Sequence, residues 1–297
     1  MTTSFRPAAV ITAYRPGPSL VAALRSVLGQ VQHVVVVDDG SPVQDSPAHD
    51  AVLRECAALG ATVVRHDVNR GIGAALNTGV RAVRGADPAL THVLTMDQDS
   101  ELPEYYLVAL VAAEQAARDA GGVVGMTSPS DITTVRRSRN THPRSFALGG
   151  EPIQSGMLLP VGTLDAVGDF DESLVIDGVD SDYWLRALDL GFTAIVAPGV
   201  SLTHQLGQPI VLANGRRLPF VVAAEFRYFY QWRNLVRLVR RHGRRHPRWA
   251  IGAAVRALRH LVLVTVCAPG RRSRLRLARR GLLAGVRGDQ GLMPGGL

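Results

Sequence analysis

Asp97 and Asp99 are the residues whose type and spacing point most directly to chemistry. They end an apolar run, Val93-Leu94-Thr95-Met96, in the order Asp97-Gln98-Asp99-Ser100. If the strand continues through them, residues two apart project to the same side, about 7 Å apart at Cα. Two hard oxygen donors on one side suit Mg2+ or Mn2+, and such an ion usually gathers phosphate oxygens as well. Alone, an Asp-x-Asp pair is a weak signal, because a solvated turn at a strand end has the same composition. Its meaning depends on what else the fold brings to that edge.

Three further stretches compete for attention. Asp38-Asp39-Gly40-Ser41 follows the run His33–Val37. A carboxylate there accepts from a ring N–H or sugar hydroxyls, or it simply caps a turn. Asn69-Arg70-Gly71-Ile72-Gly73 opens a helix with glycines, whose backbone N–H groups suit phosphate. It is not a redox dinucleotide fingerprint: Gly71-x-Gly73-x-x-Leu76 lacks the third small residue and follows the third strand. Asp177, Asp180 and Asp182 gather at the start of a helix that also carries Tyr183 and Trp184. Asp180 reads as an N-cap and Asp182 as an i+4 partner of Arg186. A carboxylate at that place serves equally as a general base facing a sugar hydroxyl. His204 follows a strand and becomes interesting only if the fold carries it to Asp99.

The elements that must position these residues alternate regularly. Ala8–Ala13, His33–Val37, Ala61–Arg65 and His92–Met96 read as strands. Helices are expected from Leu20 to Leu28 with Ser19 as cap, from Pro47 to Leu59, and from Gly73 through Val83. His33–Val37 is apolar on both faces, as a parallel strand between helix layers must be. Such an alternation predicts an open, mostly parallel α/β sheet with ligands bound beyond the carboxyl ends of its strands. All the acidic motifs but the last then fall on one rim. Further on, Pro103–Ala117 is expected to be helical and Val123–Met126 a strand. Residues 127–150, with Arg136, Arg137, Arg139 and Arg144, read as a long loop. Ser155–Val161, Phe192–Ala197 and Val200–Thr203 complete the strands, with helices up to Val167 and from Ser181 to Leu190. His204-Gln205-Leu206-Gly207 closes the globular part.

All 33 basic residues are Arg, and their distribution divides the chain. Residues 1–224 carry 16 Arg against 23 acidic residues, a net of −7, whereas residues 225–297 carry 17 Arg against Glu225 and Asp289, a net of +15. We therefore expect an α/β domain over 1–224 and a basic helical region over 225–297. Such a region meets nucleic acid or anionic lipid, and composition alone does not choose. Within it, Trp249–Ala268 is apolar but holds Arg256, Arg259 and His260. Central charges argue against a spanning helix and for an amphipathic one in the headgroup plane, or one packed on the domain. Cys56 and Cys267 show no metal-like spacing, which fits a reduced cytosolic compartment. No signal-peptide apolar run follows Met1–Pro7.

Taken in order, the motifs resemble the inverting GT-A glycosyltransferases, in particular the bacterial rhamnosyltransferase-like branch. The pieces that carry the resemblance are Val37–Ser41, Asn69–Gly73, Met96–Ser100, Gln154–Met157, Gly168–Glu172, Ile176–Asp180 and His204–Gly207. They span Val10 to about Gly215 and continue more faintly beyond. The resemblance implies a mostly parallel sheet flanked by helices and a nucleoside-diphosphate sugar donor, dTDP-L-rhamnose in this branch. It also implies a lipid-linked or polysaccharide acceptor at the cytoplasmic membrane surface, so a peripheral protein without a nucleic-acid partner. By position, Thr12, Tyr14, Asp38, Asp39, Asn69, Gly71, Asp97, Gln98, Gln154 and Trp184 correspond to substrate or nucleotide contacts. Asp97, Asp99 and His204 correspond to ligands of Mn2+ or Mg2+, and Asp180 to the catalytic base. Val179 stands where many relatives have Glu, so Asp177 and Asp182 remain rivals of Asp180. UDP-galactofuranose or a UDP-hexose on the same fold is the competing donor. A catalytically inactive glycan- or membrane-binding protein is the reading from another class. A nucleotidyltransferase is disfavoured because Tyr14-Arg15-Pro16-Gly17-Pro18 has one glycine where a Gly- and basic-rich loop is needed.

Overall fold

Four runs of small and β-branched residues build the half of the sheet that carries the acidic motifs. In the computed structural model, which describes residues 5–42, 47–132, 135–136, 140–141, 146–204, 208–211 and 217–295, these are β1 (Pro7–Ala13), β2 (His33–Asp38), β3 (Thr62–Arg65) and β4 (His92–Asp97). They lie parallel in the order β3-β2-β1-β4. Every residue of β1 is buried, as a strand covered on both faces requires. The connections are α1 (Pro18–Val27), α2 (Pro47–Ala58) and α3 (Ile72–Ala86). Helix α3 touches the sheet closely: a Cβ on Gly79 would come within 2.2 Å of Val10 Cγ1. Helix α1 begins before the expected Ser19 cap, with Gly17 at the N-cap position and Pro18 in the first turn, where its missing N–H costs nothing.

The second half of the sheet departs further from its sequence pattern. After the short β5 (Ser100–Glu101) and α4 (Tyr106–Asp119) comes β6 (Val124–Ile132), which runs well into the stretch expected to be loop. Thr127, Ser128 and Ser130 are buried in it, and the Ser130 hydroxyl donates to the Val200 carbonyl at 2.9 Å. Small polar residues here are interior strand residues, which apolar periodicity cannot reveal. Three two-residue strands follow, β7 (Val135–Arg136), β8 (Asn140–Thr141) and β9 (Ala147–Leu148), and then β10 (Met157–Pro160). Arg137, Arg139 and Arg144 of the expected loop lie outside the described residues. Strand β10 runs antiparallel between β4 and β6. Helices α5 (Val161–Val167) and α6 (Val179–Asp189) precede β11 (Thr193–His204). The last is one strand where two were expected, with a register shift between Ala197 and Ser201 that absorbs Pro198 and Gly199. The full order among the described residues is β3-β2-β1-β4-β10-β6-β11-β9-β8, with β5 on β11 and β7 on β6. Gln205, Leu206 and Gly207 lie outside the described residues.

The chain divides into two compact units, Met1–Asp171 with Asp180–Gln205, and Glu172–Val179 with Leu206–Leu297. The second contains an antiparallel pair, β12 (Gln208–Val211) and β13 (Arg217–Val222), and three helices, α7 (Arg227–His242), α8 (Pro247–Cys267) and α9 (Arg271–Arg287). Helix α9 meets α7 through glycines: a Cβ on Gly281 would stand 2.1 Å from the Phe229 carbonyl oxygen, and one on Gly285 2.6 Å from that of Arg233. Arg233 is 1% exposed, stands over the rings of Phe229 and Tyr230, and donates to the carbonyls of Ser173, Leu174 and Gly291. Asn234 Nδ2 lies 2.7–2.9 Å from the carbonyl oxygens of Leu174, Ile176 and Asp177. These two side chains explain why Glu172–Val179 belongs to the helical unit despite its place in the sequence.

Candidate active site

Strand register alone places the first acidic residues side by side. Ala13 of β1 pairs with Asp38 of β2, and Thr12 with Asp97 of β4, so both acids sit at the carboxyl ends of the two strands that flank β1. With about 4.8 Å between neighbouring strands, their backbones are about 10 Å apart. The expected rim exists, and it lies within the first unit.

Asp38 and Asp39 are turned to internal use. Asp38 is fully buried, accepts from the Ser41 hydroxyl and backbone N–H, and takes an ion pair from Arg65 Nε at 3.1 Å. Asp39 accepts from the backbone N–H groups of Arg70 at 2.9 Å and Gly71 at 2.8 Å, and lies 2.8 Å from His66 Nδ1. It thereby ties the end of β2 to the loop that opens α3. The two loops also touch directly, because a Cβ on Gly40 would fall 2.1 Å from the Val68 carbonyl carbon. Gly40 has φ +69°, a region that disfavours side chains in any case. The Gly71 N–H, read as a phosphate donor, is already bound to Asp39. Asn69 Oδ1, by contrast, is buried without a hydrogen-bond partner.

Asp97 and Asp99 do not share one continuous strand. The strand ends at Asp97, Gln98 and Asp99 form a turn, and chain pairing resumes at Ser100 in β5. The same-side alternation expected of a strand therefore does not apply; a turn brings the two carboxylates to the edge instead. Gln98 fixes that turn. Its Oε1 accepts from the Tyr14 N–H and its Nε2 donates to the Tyr14 carbonyl, both at 3.1 Å. The Gln98 amide thus holds the end of β1, and Tyr14 is fixed through its backbone, with its ring 5.3 Å from the Arg15 guanidinium.

Beneath the turn lies Gln154-Ser155-Gly156. Ser155 Oγ accepts from the Asp97 N–H at 3.0 Å and donates to Ser100 Oγ at 2.7 Å. The Thr95 hydroxyl donates to the Gln154 carbonyl at 2.6 Å, and the Gly156 N–H to the Thr95 carbonyl at 2.7 Å. Gly156 has φ +76°, and a Cβ there would stand 2.5 Å from the Tyr106 hydroxyl. Gln154 is 5% exposed, with both side-chain amide atoms buried and without a hydrogen-bond partner. Pairing of β11 with β5 sets the backbone of His204 opposite Ser100, next to Asp99. The condition under which His204 gains meaning is met at the backbone level.

Helix α6 separates the three rival acids. It begins at Val179, two residues earlier than an Asp180 cap requires, so Asp180 lies in the first turn, where its carboxylate accepts from the Ser181 N–H. Asp182 is fully buried and bound by Arg186 Nε at 2.8 Å, while the same guanidinium donates to the carbonyls of Val167 and Asp169. Asp177 receives two bonds from the Arg227 guanidinium, within the second unit. Asp180 is half-buried. Phe170 joins α6 to α3: it stacks on Tyr183 at 4.4 Å and exchanges two backbone bonds with the Asn77 amide. Burial raises the pKa of the Tyr183 phenol, against the opposing charge of Arg186. Trp184, on the same helix, has its indole Nε1 buried without a partner.

Sequence reasoning missed the residues that hold these in place. Ser41 links Asp38 to the Arg15 N–H, His66 joins Asp39 to Thr78, and Ser155 supports Asp97. Ser155 stood inside a quoted motif and was legible; His66 had no pattern to announce it.

The donor set fits a hard divalent cation that shares its ligands with a substrate. Among the described residues no group of three His, Cys, Asp or Glu side chains forms an all-protein cage. Mg2+ and its relatives are commonly held by one or two carboxylates plus substrate phosphates, which is what Asp97 and Asp99 at a sheet edge offer. An open α/β sheet with β10 inserted antiparallel, acidic turns at the carboxyl rim and an acidic helix start define a GT-A glycosyltransferase. Residues 8–164 match the family described as Glycosyl transferase family 2, and the chain belongs to that family. It is 26% identical over 306 residues, covering 97% of each chain, to the dTDP-rhamnosyl transferase RfbF of Shigella flexneri. Its fold is similar to that of GalNAc-T7, solved with UDP, GalNAc and Mn2+, at a TM-score of 0.58 and 14% identity. That match covers 81% of this chain and 48% of the other. It is also similar to the mannosyltransferase PcManGT of Pyrobaculum calidifontis, solved with GDP-Man and Mn2+, at a TM-score of 0.54 and 18% identity over 96% of this chain and 76% of that one.

Proposed function

We propose that this glycosyltransferase moves L-rhamnose from dTDP-L-rhamnose to a hydroxyl of a lipid-linked or polysaccharide acceptor, by one displacement that inverts the anomeric carbon. What carries the reading is the division of labour among the carboxylates. Asp38, Asp39 and Asp182 are buried and bound within the fold, while Asp97, Asp99 and Asp180 are half-buried at the rim and the helix start. The relative matched over 97% of its length supports the donor.

Asp97 and Asp99, with His204 beside them, would hold Mn2+ or Mg2+. When bound, such a cation neutralises charge on the leaving diphosphate. Thr12 and Tyr14 at the end of β1, with Asn69 and Gln154, line the donor's approach, and Trp184 lies on the acceptor-side helix. The buried, unpartnered polar atoms of Asn69 and Gln154 are places a sugar nucleotide's hydroxyls and ring nitrogens can satisfy, and that of Trp184 suits an acceptor hydroxyl. Asp180 accepts the acceptor hydroxyl proton as that oxygen bonds to the anomeric carbon. The bond from that carbon to the diphosphate oxygen breaks, and the diphosphate leaves with the electron pair. One base suffices, because no covalent sugar–enzyme intermediate forms.

A panel of dTDP-L-rhamnose, UDP-galactofuranose and UDP-hexoses with Mn2+ or Mg2+, read as nucleoside diphosphate released, tests the reading. Preference for the deoxythymidine sugar is expected. Preference for a UDP sugar overturns the rhamnosyl assignment, and release from none of them favours a catalytically inactive binding protein.

A further inference from the structure

Helix α8 buries one face and leaves an apolar stripe on the other. Ala250 and Val264 are buried within the second unit, and Val264 packs with Tyr228 of α7. The Arg274 guanidinium of α9 donates to the carbonyls of Val264 and Ala268. Opposite this attached face, Ile251, Val255, Leu258, Val262 and Val266 are 67%, 59%, 56%, 53% and 79% exposed. Their spacing of three and four residues keeps all five on one side of the helix along its length. Isolated exposed apolar residues need no explanation; a continuous line of five does.

The charge around the stripe selects what covers it. Arg248, Arg256 and Arg259 are exposed on α8, and the same helical period sets Arg248 and Arg259 along one flank of the stripe. Helix α9 continues the theme, with exposed Leu275, Leu282 and Val286 interleaved among exposed Arg272, Arg276 and Arg279. Residues 225–297 carry 17 Arg and two acidic residues. A second copy would bring two such surfaces together against their own repulsion, whereas a bilayer with anionic headgroups meets both the apolar stripe and the charge. Helix α8 is also long and apolar enough to cross a bilayer, with 21 residues and an 18-residue window of mean hydropathy 1.6. Crossing would place Arg256, Arg259 and His260 in the hydrocarbon and strip the helix from α7 and α9. Lying flat does neither.

We propose that α8 docks this chain on an anionic membrane surface, inserting the stripe Ile251–Val255–Leu258–Val262–Val266 between lipid headgroups while its arginines engage their phosphates. The surface is built by the second unit alone and does not rest on the sugar donor. It also gives a peripheral location to an enzyme whose proposed acceptor includes lipid-linked glycans.

The test is co-sedimentation of the purified full chain with vesicles of phosphatidylcholine containing phosphatidylglycerol, against phosphatidylcholine alone. Binding is expected to the anionic vesicles only, to weaken with salt, and to fall about tenfold or more in a Val255→Asp, Val262→Asp double variant. Leu258→Gln, a milder change, should give an intermediate loss with an unchanged circular-dichroism spectrum. Equal binding by wild type and both variants overturns the proposal, as does no binding by the wild type. A dimer in size-exclusion chromatography that the double variant dissociates would assign the stripe to a second copy instead. Resistance of membrane-bound chain to alkaline carbonate would assign it to a spanning helix. Nucleoside diphosphate release measured without vesicles should be the same for wild type and variants. Its absence in all of them, with vesicle binding intact, would count against the rhamnosyl reading and leave the docking surface standing.

Discussion

Two sets of carboxylates stand within the same unit, and they live in opposite surroundings. Asp38, Asp39 and Asp182 are 0%, 5% and 0% exposed, and their oxygens are bound by backbone N–H groups, Ser41, Arg65, His66 or Arg186. Asp97 at the end of β4, Asp99 in the turn that follows and Asp180 in the first turn of α6 are half-buried. A buried carboxylate is tolerated only when paired and hydrogen-bonded, and once so bound it becomes part of the framework. Motif matching alone cannot make this distinction, since Asp38 and Asp39 belong to the stretches that carry the family resemblance as much as Asp97, Asp99 and Asp180 do. The first set is closed into the framework, and the second lies closer to solvent at the rim and the helix start.

Breaking the second set should abolish chemistry without unfolding the chain. Asp180→Asn is expected to lower kcat for transfer by a factor on the order of 10² to 10⁴, the usual contribution of a general base. Donor affinity and melting temperature should stay near wild type; full activity would return the role to Asp182 or Asp177. Asp99→Asn should weaken cation-dependent donor binding by about a hundredfold, measured by calorimetry with and without Mn2+, again with unchanged stability.

Breaking the first set should do the reverse. Asp39→Ala leaves the Arg70 and Gly71 N–H groups without their acceptor and is expected to cost about 3 kcal/mol in urea unfolding. Gly40→Ala adds a Cβ where the Val68 and Asn69 backbone already stands and imposes a positive φ on a side chain. Its cost is expected to be about 2 kcal/mol. The smallest effect belongs to Glu114, buried on α4. Burial works against its carboxylate, but His92 and Arg118 outweigh that and hold its pKa below the usual range. Its contribution is therefore present above the unfolded pKa and lost as pH falls through the lowered one. Glu114→Gln should flatten that part of the acid unfolding curve, and an unchanged curve would show that the pair adds nothing.

The sequence made the parallel half of the sheet legible because β-branched runs such as Val34–Val37 can only be strands buried on both faces. It made the rim legible because Asp38-Asp39 and Asp97-Gln98-Asp99 each followed a strand run. The other half was opaque for a specific reason. Thr127, Ser128 and Ser130 look like loop residues, and only the partner strand β11 shows that they are interior. Gln98 was read as a substrate or nucleotide contact, and its commitment to the Tyr14 backbone depends on a neighbour 84 residues away. The assignment of Asp182 was half legible, since its i+4 pairing with Arg186 was readable but its complete burial was not.

The central claim is that Asp97 and Asp99 serve the donor diphosphate through a divalent cation while Asp39 serves the fold. Calorimetric titration of dTDP-L-rhamnose into wild type, Asp99→Asn and Asp39→Asn, each with Mn2+ and with chelator, tests it most directly. The account predicts that wild type binds only with Mn2+ and that Asp99→Asn loses this dependence together with its affinity. It predicts that the folded fraction of Asp39→Asn, though less stable, still binds in a Mn2+-dependent way. Donor binding by Asp99→Asn as tight as wild type, with or without the metal, would contradict it.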